Sequence, residues 1–324
     1  MELLFNKNNN AEIHDILGFS DADIDISKLW PYLKTATREI VKIIGKDNYS
    51  KALDFYKDET SEENEDDEIV DESEDNDEAE EIANPDVEEL LSLIQYAVAL
   101  DAMRKFAPLI DVSITNDGRL FRRDDHHGAA TNYMIESSNA AMERRYYEAV
   151  DELLAFILEE DGLEQSDYMV SFSGLYVPNL DEFQKFVHIN NSHLLYLKLA
   201  PSLRLCEQRE LMNRMGDKYL DLKGLKDNHI TSLAQNICVY YAMADGIQKL
   251  SVQLFPEGLG KSNIDHGNRK NGSGYDKEAT SKFYEDKLSS LYKSLETAIK
   301  KLNANYTPRA TINFDKGDGF VTIS

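Results

Sequence analysis

The feature that most constrains this chain is that it repeats itself. Asn9, Glu12, Pro31, Leu33 and Tyr49 recur as Asn179, Glu182, Pro201, Leu203 and Tyr219, each 170 positions further on. In the same register Ile13, Ile16, Leu17 and Phe19 are answered by Phe183, Phe186, Val187 and Ile189, which keeps one apolar stripe at helical spacing. A second register, offset by 140, pairs Ser92, Leu93, Gln95, Ala102, Met103, Val112 and Gly118 with Ser232, Leu233, Gln235, Ala242, Met243, Val252 and Gly258. A third, offset by 137, pairs Tyr147, Glu148, Leu154 and Leu158 with Tyr284, Glu285, Leu291 and Leu295. Amphipathic helices resemble one another in general, but Pro31 and Pro201, or Gly118 and Gly258, are not stripe residues. Ordered self-similarity of this kind predicts a tandem duplication of one helical domain, and 324 residues suffice for two separate cores.

The step from offset 170 to offset 140 means that one copy holds about thirty extra residues between Tyr49 and Ser92. An unusual composition lies there. Of the 24 residues from Asp58 to Glu81, 16 are Asp or Glu and none is Lys or Arg, so this stretch supplies most of the net charge of -25. It reads as an acidic insert spanning 57–85 in a first copy, 1–164, with the second copy at 165–324. Like charges without apolar anchors cannot offset the entropy of ordering, so the insert is expected to be disordered. The remainder is near neutral for its size, which argues against a broad basic face for nucleic acid.

Within copy one the spacing predicts a short helix from Glu12 to Phe19. A second helix is expected after Ser27, with Pro31 in its first turn and Gly45 as its stop, and a third from Asp86 to Phe106. A hairpin should follow at Val112 to Phe121 around Asn116-Asp117-Gly118, then a helix from Ile135 to Glu160. Copy two repeats the order, with a hairpin arm at Val252 to Gly258, a helix from Lys277 to Asn303 and a closing hairpin at Ala310 to Ile323. The link from Gln165 to Asn179 alternates enough to suggest a strand. The fold class is therefore mainly α with short β-hairpins.

Candidates for chemistry are few. Adjacent side chains at His126-His127 point apart, and copy two carries Asp265-His266-Gly267 nearby, so a shared hydrogen-bonded turn accounts for them better than a metal. Asp315-Lys316-Gly317-Asp318-Gly319 lacks the alternating ligands and distal Glu of a calcium loop. No phosphate loop, nucleophile elbow, Cys-x-x-Cys pair or His-Glu-x-x-His helix occurs. Tyr146, Tyr147, Phe283 and Tyr284 read as core aromatics, and Cys206 and Cys238, each within an apolar pattern, as buried free thiols. Catalytic, cofactor-binding and metal residues are thus expected to be none, and the chain is read as no enzyme. Neither a signal peptide nor a membrane span is expected.

The run Leu29-Trp30-Pro31-Tyr32-Leu33-Lys34-Thr35-Ala36 leading to Gly45, then Leu90 to Phe106, a hairpin and a tyrosine-bearing last helix, resembles uncharacterised structural proteins of Bacteroidetes phages and prophages. It is also similar to the small helical head-tail connector (adaptor) domains that form rings beneath a phage portal. The resemblance implies a non-enzymatic virion protein made in the bacterial cytoplasm. It further implies a homo-oligomeric ring in contact with portal-type and tail-type proteins, without membrane association, cofactor or sequence-specific nucleic acid. Connector domains of that kind are single, so a duplicated one with an acidic insert departs from the pattern. The competing reading is an acidic regulatory or inhibitory protein that mimics nucleic acid, which would spread its carboxylates over the folded surface.

Overall fold

The fold is mainly α. The computed structural model describes residues 2–18, 25–62, 86–110, 112–115, 118–121, 131–223, 225, 228–255 and 277–302. The chain divides into two compact units, Met1–Ser171 and Phe172–Ser324.

In unit 1, helix α1 (Asn10–Leu17) is started by Asn9, whose side chain accepts from the Ala11 amide, and ends at Gly18 in the left-handed region. It begins two residues before the sequence-based expectation because the cap, not the first apolar residue, fixes the start. Helix α2 (Ile26–Ile44) is capped by Asp25, not Ser27, so Pro31 falls inside the helix and not in its first turn. Its stripe of Leu29, Leu33, Ala36, Ile40 and Ile44 is wholly buried. Helix α3 (Lys46–Glu62) was not expected. It buries only Tyr49, Ala52 and Asn48, too sparse a stripe to read, and it carries the first acidic residues, Asp58 and Glu59, into a helix. The rest of the insert, 63–85, lies outside the described residues.

Helix α4 (Val87–Ile110) is the core of the unit. It packs against α1, α2, α3 and α5 (Asn132–Glu159), and buries residues on nearly every side, Leu90, Ile94, Val98, Leu100 and Phe106 among them. Between α4 and α5, strands β1 (Val112–Thr115) and β2 (Gly118–Phe121) pair antiparallel, Val112 opposite Phe121. A helical turn, α6 (Asp167–Val170), ends the unit where a strand was expected. Two polar staples put it there. The Asn48 side chain donates to the Ile44 and Glu164 carbonyls and accepts from the Glu164 amide, and Ser166 Oγ donates to the Ile43 carbonyl at 2.6 Å. Gly45, at φ 93°, lets this segment approach: a Cβ there would sit 3.3 Å from Ser166 Cβ. The unit therefore runs to Ser171, seven residues past the boundary that the repeat suggested.

Unit 2 opens with α7 (Leu180–Gln184), capped by Asn179, and α8 (His193–Cys206), capped by Ser192. The helix continues through a π-turn (Glu207–Leu211) into α9 (Met212–Met215), stops at Gly216, and is followed by α10 (Lys218–Lys223). Helix α11 (His229–Lys249) packs against α8, α10 and α12 (Lys277–Leu302) and buries Ala234, Ile237, Val239, Ala242, Met243 and Ile247. Gly246 lies against Leu199: a Cβ would come within 2.2 Å of Leu199 Cδ2, so any larger residue there must push the Leu199 side chain aside. The expected hairpin arm begins instead with a 3-10 turn (Val252–Leu254). Its remaining residues, and the closing hairpin at 310–323, lie outside the described residues.

Candidate functional site

Burying a charge is costly unless it is paired and hydrogen-bonded, so buried charges mark where a helical protein has spent stability on something specific. Each unit has such a place. In unit 1 it is Asp101, fully buried in the apolar run of α4. Arg104 and Lys105, one turn on, both reach it: Arg104 Nε and Nη2 lie 2.7 and 2.6 Å from Oδ1, and Lys105 Nζ lies 2.6 Å from Oδ2. Lys105 also bonds Glu39 of α2 at 2.8 Å, which ties α4 to α2. The Arg104 guanidinium stands 4.3 Å over the Tyr146 ring of α5, which links α4 to α5. Burial and the nearby Asp101 carboxylate push the Tyr146 phenol well above its usual range.

In unit 2 the most deeply buried charge is Glu207, the first residue of the π-turn, with Arg214 also buried. One oxygen accepts from the Tyr176 amide, the other from the Tyr219 hydroxyl and from Lys223 Nζ at 2.6 Å. Lys223 also donates to the Tyr219 hydroxyl, and the Tyr176 hydroxyl donates to the Tyr219 carbonyl at 2.9 Å. Burial, then the adjacent carboxylate, pushes the Tyr219 and Tyr176 phenols upward. The carboxylate thus gathers the start of the unit, the π-turn and α10 into one network. Cys206 and Cys238 lie beside it, both buried and free, with Cys238 held well above the usual thiol range chiefly by burial.

On the outer side of α11 and α12 lies a notch of about 350 Å³ between Tyr241, Ala244, Asp245 and Gln248 of one helix and Glu285, Leu288, Ser289 and Tyr292 of the other. Asp245 accepts from Ser202 and Lys249, both at 2.7 Å, and Glu285 accepts from Ser281 at 3.2 Å and Gln248 at 3.5 Å. Arg214 approaches Tyr292 with its guanidinium 3.9 Å from the ring, held by Glu210 and Glu296.

Residues 40–168 are similar to a family of unknown function (DUF6712). That stretch lies within unit 1 and ends in α6, the last element of the unit. No curated protein and no solved structure matches the chain.

Of the residues that the sequence singled out, Tyr146 and Tyr284 are buried and Tyr147 is half-buried, whereas Phe283 is 52% exposed and is not a core aromatic. His126, His127, Asp265, His266 and the Asp315 to Gly319 turn lie outside the described residues. Among the described residues no group of three or more His, Cys, Asp or Glu could hold a metal, and no helix is long and apolar enough to cross a membrane. The networks at Asp101 and Glu207 were missed. A signal existed for the first: a lone Asp in an apolar run followed by Arg and Lys at helical spacing.

Proposed function

We propose that this chain is a non-enzymatic structural protein of a phage or prophage particle, a head-tail connector built from two copies of one helical unit. It acts through contacts with portal-type and tail-type proteins in a ring. The observation that carries the reading is how the two units correspond around the π-turn. Before it, Leu29, Leu33 and Ala36 of α2 match Leu199, Leu203 and Cys206 of α8 at offset 170, and all six are fully buried. Beyond it, Ile40 and Ile44 match the equally buried Leu211 and Met215 at offset 171. In that register Arg38-Glu39 aligns with Arg209-Glu210, and the helix-ending Gly45 with Gly216. A π-turn is a helix holding one extra residue, so the helix from α8 to α9 reads as α2 with one residue inserted.

Other features support the same alignment. Asn9 and Asn179 cap the first helix of each unit. Gln95 of α4 donates to the Leu4 carbonyl and Gln235 of α11 to the Tyr176 carbonyl, so in each unit the long central helix holds the entering segment by a glutamine at the same position. Tyr146, Val150 and Ile157 of α5 match Tyr284, Leu288 and Leu295 of α12 in burial at offset 138, one residue from the offset that letter matching suggests. A shift of one turns a helix by about 100°, so burial decides the register.

Two copies of a module in one chain offer related contact surfaces twice, which suits a ring between two partners. The test is to delete the gene from the particle's genome and image the products. Heads that package but do not join tails are expected. Infectious particles lacking the protein would overturn the reading.

A further inference from the structure

We propose that the notch between α11 and α12 accepts an arginine side chain presented by a partner protein. The inference rests on the reading of the units as two copies, because unit 1 identifies the occupant. Under offsets 140 and 138, Ala244 of the notch corresponds to Arg104, Asp245 to Lys105 and Glu285 to Tyr147. In unit 1 the residue at this position is an arginine whose guanidinium stacks on Tyr146 and pairs with Asp101. In unit 2 the arginine has become alanine, and a notch of about 350 Å³ stands where the side chain would lie, comparable to the smaller ligand sites of proteins.

The charge of the site has changed to suit an incoming cation. Two cations of unit 1, Arg104 and Lys105, are replaced by Ala244 and the Asp245 carboxylate, and a second carboxylate, Glu285, takes the place of a tyrosine. The bonds that Glu285 accepts, at 3.2 and 3.5 Å, are long, so a charged donor would improve on them. Tyr241 and Tyr292 supply aromatic surface for a planar guanidinium, and Arg214 already stacks on Tyr292. Ser289 and Gln248 on the rim offer oxygens to the remaining N–H groups.

The test uses the full-length protein with isotopically labelled tyrosine, titrated with N-acetyl-arginine N-methylamide and followed by NMR. Saturable shifts at Tyr241 and Tyr292 are expected, with none from the alanine analogue. Glu285→Gln, an exposed change that should not disturb folding, should weaken binding about tenfold, the worth of one charge-assisted bond. Ala244→Arg should fill the notch and abolish binding. A helical peptide with one central arginine should bind more tightly than the blocked residue. Free arginine binding more tightly than both would overturn the partner as the source. No saturable shift, or affinity unchanged in Glu285→Gln, would overturn the site itself, whatever becomes of Ala244→Arg. If the site fails while the two units still correspond, the copy reading stands alone; binding without that correspondence would remove the reason for expecting arginine and leave the notch established by its own chemistry.

Discussion

Glu207 is the residue on which unit 2 turns, because three donors, one from the entering segment and two from α10, converge on a carboxylate with almost no access to water. Glu207→Ala removes the acceptor of the Tyr176 amide and the charged one of the two acceptors of Lys223, and breaking a buried pair costs about 3–5 kcal/mol. Urea unfolding should show that loss, against under about 1 kcal/mol for the exposed control Lys185→Ala; equal effects would show the network to be ornamental. The phenols give a pH test. Burial, first among the causes, raises Tyr49, Tyr146, Tyr176, Tyr196, Tyr219 and Tyr292 above the ordinary value near 10. Above pH 10 the unfolded chain releases these protons while the folded chain keeps them, so stability should be intact below that pH and fall as pH rises beyond it. Tyrosinate absorbance should accordingly climb in two stages, exposed phenols near 10 and the buried ones only with loss of helicity. A single stage complete before unfolding would contradict the burial.

At the scale of elements, what could be read from the residues was whatever an apolar stripe or a cap announces. The stripes of α2 and α4 stand where their patterns put them, because burial of Leu33 or Leu100 is a local fact. Helix α3 was hidden because so little of it faces the core, and α6 because Asn48 and Ser166 fix it from over a hundred residues away in sequence or within it. The π-turn was hidden because the apolar stripes on both sides of it keep ordinary helical spacing. Three substitutions test these local arguments. Asn9→Ala and Asn179→Ala should each cost about 1 kcal/mol, as helix caps do. Gly246→Ala should cost about 1–3 kcal/mol by forcing Leu199 from its place. Thermal unfolding indifferent to Gly246→Ala would show that α8 and α11 do not pack as closely as described.

For the whole molecule the central claim is that the two units are copies, with the helix from α8 to α9 being α2 with one residue added at the π-turn. Gln208 is exposed beside the buried Glu207, which makes it the added residue in the alignment of Arg38-Glu39 with Arg209-Glu210. Removing an inserted residue restores an ordinary helix, whereas removing one from an uninterrupted helix turns every later side chain by about 100°. The direct measurement is therefore a pair of single-residue deletions, of Gln208 in unit 2 and of Arg38 in unit 1, compared by circular dichroism and denaturant unfolding. Deletion of Gln208 should keep the helical signal and a cooperative transition, with a loss of no more than about 2 kcal/mol, while deletion of Arg38 should destroy the packing of α2 and most of the stability of its unit. Equal damage from both deletions would contradict the account.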